Sequence, residues 1–292
     1  MEIHHFEHGW VTPAVSYALS VLGSLLGLIC ATRLRAARTG GGRAWWLTLS
    51  AVAIGGTGIW TMHFVAMLGF SVVGTPIRYD AALTAASSLL AIAAVGAGMM
   101  VVFGGERARP LRIVAGGLLA GLGVAAMHYM GMRAMHLHGE IGYDRTRVIA
   151  SVVIAVVAAT IALWLTVTVR KPAVIFGAAL IMGIAVNGMH FTGMSAISVR
   201  PHPGDAVPSG ASATAMLVPI GVAVLFGVLG LMYALMAAPT DEDRAAAAYL
   251  AARLEHGEPA APPQHGTGPI PQQRGSALGG ATWTYRDRSS HR

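Results

Sequence analysis

Seven apolar runs of membrane-spanning length govern what this chain can fold into, at about residues 11–31, 45–70, 81–103, 113–135, 148–169, 173–197 and 214–237. At ~1.5 Å of rise per residue, ~20 residues cross a ~30 Å hydrocarbon layer. The runs are continuous rather than alternating, which predicts helices and not barrel strands. In lipid each segment must satisfy its own backbone N–H and C=O groups. Composition agrees, since 54% hydrophobic and 11% charged residues with a mean hydropathy of +0.60 suit solvation by lipid. The expected fold is all-α, a polytopic seven-helix transmembrane bundle. Its expected parts are a short external segment (1–10), the bundle (11–237), a short cytoplasmic helix (238–257) and a disordered tail (258–292).

The N-terminus, Met1-Glu2-Ile3-His4-His5, has no basic stretch, and no small-residue cleavage site follows the first run. That run is therefore expected to be retained as a helix rather than removed as a signal peptide. The single cysteine, Cys30, has no intrachain disulfide partner and no CxxC context, and reads as a small packing residue.

A formal charge of +7 raises nucleic acid as a partner, but the arginines are spread over short loops and a tail, with no basic stripe on a helix. No nucleic acid is expected. Loop charge reads instead as topology. The odd loops carry nine basic residues: Arg33, Arg35, Arg38, Arg43, Arg107, Arg109, Arg112, Arg170 and Lys171. The even loops carry five: Arg78, Arg133, Arg145, Arg147 and Arg200. By the positive-inside rule the odd loops and C-terminus are expected to face the cytoplasm and the N-terminus to lie outside an inner or plasma membrane.

Within the even runs one cluster is written three times. It reads Met62-His63-Phe64-Val65-Ala66-Met67, Met127-His128-Tyr129-Met130-Gly131-Met132, and Met189-His190-Phe191-Thr192-Gly193-Met194. An imidazole at hydrocarbon depth is costly and needs a reason. The three lie about 15–18 residues into runs of one direction, so at ~1.5 Å per residue they share one depth in the outer half of the bilayer. Gly56, Gly121 and Gly183 stand seven residues before each His, and Gly58, Gly123 and Ala185 five before. Small residues let membrane helices approach closely. The pattern predicts three two-helix repeats plus one extra helix, with the even helices lining the centre.

On a helix, residues i and i+4 share a face. His63 with Met67, His128 with Met132 and His190 with Met194 therefore point together, with Met62, Met127 and Met189 on the flank of the same stripe. Thioether is a soft ligand and imidazole suits Cu, Zn, Fe and Ni, so His and Met without carboxylate or thiolate favour copper, Cu(I) especially. Plain packing explains any one such cluster; three in phase point to a shared ligand site. Asn187, three residues before His190, is the one amide in the spans and a candidate to orient an imidazole, or else a structural interhelical hydrogen bond. Phe64, Tyr129 and Phe191 read as packing, and Trp60 either stacks over the site or fills space. His4, His5, His8, His136, His138 and His202 lie on the expected external side, as ordinary loop residues or as a metal-collecting vestibule.

These clusters, the seven spans and the repeat resemble the MHYT-domain family of bacterial integral membrane sensors, over about residues 10–237. The fourth motif position matches only at Thr192, whereas His and both Met positions match in every copy. The resemblance implies a module that binds copper near the outer face and senses a diatomic gas such as O2, CO or NO. It also implies cytoplasmic cyclic-di-GMP turnover or DNA-binding domains. About 55 residues follow the last span here, which are expected to hold no such output domain, so a separate cytoplasmic signalling partner is expected. They open with Thr240-Asp241-Glu242-Asp243, a helix-starting pattern, and close in a Pro-, Gly-, Gln- and Ser-rich stretch from Pro259.

Three functions remain open on the residues. A sensory module is expected first. A haem-binding electron-transfer protein is the second, since two facing imidazoles can ligate haem. A copper transporter is the third, although Met99, Met100 and Met182 are the only inner-half ligands in the first six helices. No paired carboxylates or nucleophile–base arrangement lie in the spans, so no enzyme is expected.

Overall fold

The computed structural model describes residues 3–4, 7, 9–200, 208–237 and 241–255. Its seven long apolar helices are Val11–Ala36, Gly40–Met67, Ala81–Phe103, Arg109–Arg133, Arg145–Thr168, Pro172–Met194 and Ala213–Met236, here spans one to seven. Local chemistry sets their starts. Asp80, Asp144 and Ser212 accept hydrogen bonds from the backbone N–H of Leu83, Arg147 and Ala215, satisfying donors that a helix start leaves free. Spans four and six carry Pro110 and Pro172 in their first turns, where a missing N–H costs nothing.

Spans one to six close into a ring in which each packs on its neighbours in sequence and span six returns to span one. The glycines ahead of each His are the contact points. A Cβ added at Gly56, Gly121 or Gly183 would lie 3.5 Å from Ile92 Cδ1, 2.5 Å from Val156 Cα and 2.8 Å from Val21 Cγ2. Each even span thus meets the odd span that follows it, with span one taking that place for span six. Span seven packs outside, on spans one and two, and only 17% of its apolar window is buried against 78% for span two. It is the extra helix. Cys30 is fully buried beside Leu26, Ala53 and Leu231, the packing role expected of it.

Span two is not a plain helix. Its residues Val52–Thr61 wind as a π-helix between two α-helical parts. Gly55, Gly56 and Gly58 lie in this stretch, and Thr61 Oγ1 donates to Gly56 O five residues back at 3.0 Å. Short strands cap one end of the ring. Ile3–His4 pairs with Ser71–Val72, Arg78–Tyr79 lies between Met135–His136 and Ala211–Ser212, and Glu140–Tyr143 pairs with Ile197–Arg200. All belong to the N-terminal segment or to loops after even spans, which ties those loops together over the ends where the clusters lie. In a unit of its own, Asp241–Glu255 forms the helix expected after the last span. The expected disordered tail lies outside the described residues.

Candidate metal centre

The three repeated histidines converge near the capped end of the ring. His63, His128 and His190 come from spans two, four and six and are 3%, 0% and 1% exposed. His63 Nδ1 lies 3.0 Å from His190 Nδ1 and 3.1 Å from His128 Nδ1. The ring centroids stand 4.9, 5.0 and 5.2 Å apart, edge to face. Among the described residues these are the one group of His, Cys, Asp or Glu close enough to share an ion.

Hydrogen bonding alone does not satisfy this cluster. A neutral imidazole has one N–H donor and one bare acceptor nitrogen. Each Nδ1 faces another Nδ1, while all three Nε2 atoms are buried with no hydrogen-bond partner. Native interiors seldom leave such groups unmatched, and the Nδ1 atoms, facing one another, are the ones placed to share a ligand. A metal fits the donor set: three neutral imidazoles, no carboxylate and no thiolate, converging on one point.

Two glycines let the rings reach each other. A Cβ at Gly131 would stand 2.3 Å from His63 Nε2, and one at Gly193 would stand 2.2 Å from His128 Nε2. Each ring thus lies across the next even span, three residues past that span's own His. The matching position in the first cluster is Ala66, which is also buried. The sequence reading passed over these positions, although a small residue before the second Met stands in all three copies.

All six clustered methionines are buried, but in different company. Met67, Met132 and Met194 join Phe64, Phe70 and Tyr79 in an apolar cluster beneath the strands. Met127 and Met189 belong to the main core, and Met62 is fully buried. Tyr79 seals this cap side, and burial pushes its phenol above the usual tyrosine range, so it stays neutral.

Asn187 does not serve as the partner of an imidazole. Its Oδ1 accepts from Ser16 Oγ of span one at 2.9 Å and its Nδ2 donates to Gly183 O at 2.8 Å. Ser16 reaches it because spans six and one are neighbours in the ring, so the amide closes the ring instead of orienting a ligand. Trp60 stacks on Phe64 and donates to Ser87 Oγ at 2.9 Å. Tyr129 lies edge-on to His128 with its hydroxyl 2.6 Å from Ser151 Oγ. His136 is exposed, with its Nδ1 3.1 Å from Ser209 O. Of the other histidines expected on the external side, His5, His8 and His202 lie outside the described residues.

A closed ring of helices long and apolar enough to cross a membrane, around a buried histidine triad, defines a multi-pass membrane protein. Residues 56–116, 121–179 and 183–249 each match the family described as MHYT, bacterial signalling protein N terminal repeat, and together they make up more than half of the chain. The chain belongs to the MHYT family. The matched units begin at Gly56, Gly121 and Gly183, the glycines that close the ring. The chain is 41% identical over 195 residues to the bifunctional diguanylate cyclase/cyclic di-GMP phosphodiesterase MucR of Pseudomonas aeruginosa, covering 65% of this chain and 28% of that protein. It is 35% identical over 230 residues to an uncharacterized signaling protein of Caulobacter vibrioides, covering 77% of this chain and 28% of the other. It is 36% identical over 181 residues to the cyclic di-GMP phosphodiesterase NbdA of Pseudomonas aeruginosa, covering 59% and 22%. The matched region thus spans under a third of these relatives. No solved structure matches the chain.

Proposed function

We propose that this chain is a membrane sensory module in which His63, His128 and His190 hold a copper ion. The observation that carries this reading is the meeting of three buried imidazoles, with His63 Nδ1 3.0 Å from His190 Nδ1 and 3.1 Å from His128 Nδ1. Copper is favoured over zinc because the site offers no carboxylate or thiolate and each histidine is flanked along its helix by two buried thioethers, soft donors that suit Cu(I). Met67, Met132 and Met194, and on the flank Met62, Met127 and Met189, are the candidates to complete the coordination. When bound, copper supplies a redox-active Lewis acid able to take a diatomic ligand such as O2, CO or NO. The chain's own residues supply a preformed site: the three rings would hold the ion, Gly131 and Gly193 lie against the outer edges of two of them, and the apolar cluster around Tyr79 would keep water from the capped side.

The haem alternative fits less well. Axial imidazoles flank a ring plane, and nitrogens 3.0 Å apart leave no room for one between them. We place the capped end and the N-terminus outside, by the excess of basic residues in the opposite loops. The signal would pass to cytoplasmic output domains or a separate partner, since MucR and NbdA bear cyclic-di-GMP enzyme names and share only this region. The module itself is assigned no catalysis.

Elemental analysis of detergent-purified protein tests the reading. Stoichiometric copper and no Soret band are expected in the natural protein, with copper lost from the His63→Ala, His128→Ala, His190→Ala triple variant. Equal copper in both proteins, or none in either after reconstitution, would reject it.

A further inference from the structure

The ring repeats its seams but does not close them equally. Five residues before each His, an even span faces the odd span that precedes it. A Cβ at Gly58 would lie 3.3 Å from Ser24 N of span one, and a Cβ at Gly123 would lie 2.4 Å from Ala94 Cβ of span three. Both seams are closed to backbone or methyl contact. The third place in this series is Ala185, facing span five, and here a methyl group stands where the other two repeats have none. At this seam the structure holds a cavity of about 40 Å³, walled by Ala155, Ala158, Ala159 and Ala162 across from Ala185.

The lining decides what the cavity can hold. Ile54, Ile59, Val124, Met182 and Val186 make it apolar, and Ser24 is its one hydroxyl. A buried water needs two to four polar partners, so one hydroxyl does not hold one. About 10–15 Å³ of such space takes one water-sized particle, so about 40 Å³ holds about three or four, room for a molecule of two or three heavy atoms. Ala158, Ala162, Ala185 and Val186 are half-buried, and the neighbouring Ile161, Ile181 and Ile184 are exposed on the outer face. The cavity thus opens toward hydrocarbon, where apolar solutes concentrate. Met189, directly before His190, forms part of its wall.

We infer that the seam between spans five and six is a binding site for a small apolar molecule of two or three heavy atoms, a dissolved gas, drawn from the lipid phase. The site stands on seam geometry alone. Its connection to the histidine triad, through Met189, rests on the function proposed above. A ligand there touches the residue next to His190 without passing through the cap.

Crystals of the full chain pressurised with xenon test the inference, with Ala159→Leu as the filling variant and copper measured on the same preparations. A xenon peak between Ala159 and Ala185 is expected in the natural protein, falling to background in Ala159→Leu. If leucine prevents folding, Ala159→Val should weaken the peak. Xenon in the seam of copper-free protein supports the cavity while rejecting the metal reading. No peak at this seam, an equal peak in a filled variant, or a detergent or lipid chain occupying the space overturns the inference.

Discussion

Replacing Gly193 with alanine is expected to weaken metal binding by about 10–100-fold, the range seen when groups that orient a ligand are lost, while the bundle stays folded. The new Cβ would stand 2.2 Å from His128 Nε2, 3.0 Å from Cδ2 and 3.2 Å from Cε1. These atoms belong to the far end of a side chain, so the ring swings aside and the backbone does not. That movement takes Nδ1 away from His63 and breaks the triad. Gly131→Ala should do the same to His63, whose Nε2 is 2.3 Å from the added Cβ. Gly188→Ala on span six is the control, because nothing lies within 4 Å of its Cβ position. Competition with a Cu(I) chelator measures the effect. Unchanged affinity in Gly193→Ala would mean that ring position does not matter to binding.

Gly23→Ala is expected to act on the fold instead, at a cost of about 3 kcal/mol, the upper end of the usual range for overpacking. The added Cβ would meet Gly58 N at 2.2 Å, Gly58 Cα at 2.4 Å and Ala53 O at 2.6 Å. All three are backbone atoms of the π-helical stretch, and none can rotate away. Spans one and two must therefore separate, which also opens the site that span two supports through His63. Gly177→Ala, with open space at its Cβ, should be neutral or gain up to about 1 kcal/mol from helix propensity. Thermal unfolding in detergent separates the two. A melting temperature for Gly23→Ala equal to that of Gly177→Ala would remove the close approach from the account.

The contrast between these substitutions marks what could be read from sequence. Seven spans were legible because lipid imposes length and apolarity on any segment that crosses it. Convergence of the histidines was legible because three copies in helices of one direction share a depth. The glycines seven before each His announced close packing, and they are where the ring closes. Other features depend on neighbours that spacing does not name. Asn187 read either as a partner of His190 or as an interhelical hydrogen bond; it is the second, and its partner Ser16, 171 residues away, follows only from the return of span six to span one. The π-helical winding of Val52–Thr61 leaves no trace in hydrophobic period over ten residues. Gly131 and Gly193 carry no signature apart from being small, and only the rings of the facing histidines give them a role. The strand cap was missed because its segments are two to four residues long and pair across loops far apart in sequence.

The proposed centre is three imidazoles from alternate spans meeting at one metal ion. The X-ray absorption spectrum at the copper K edge of the loaded full chain tests this most directly. The account predicts a first shell led by imidazole nitrogen, with the outer-shell scattering of histidine rings, which disappears when His63, His128 and His190 are replaced together. A shell of oxygen or sulfur without imidazole, or a spectrum that survives the triple replacement, would contradict it.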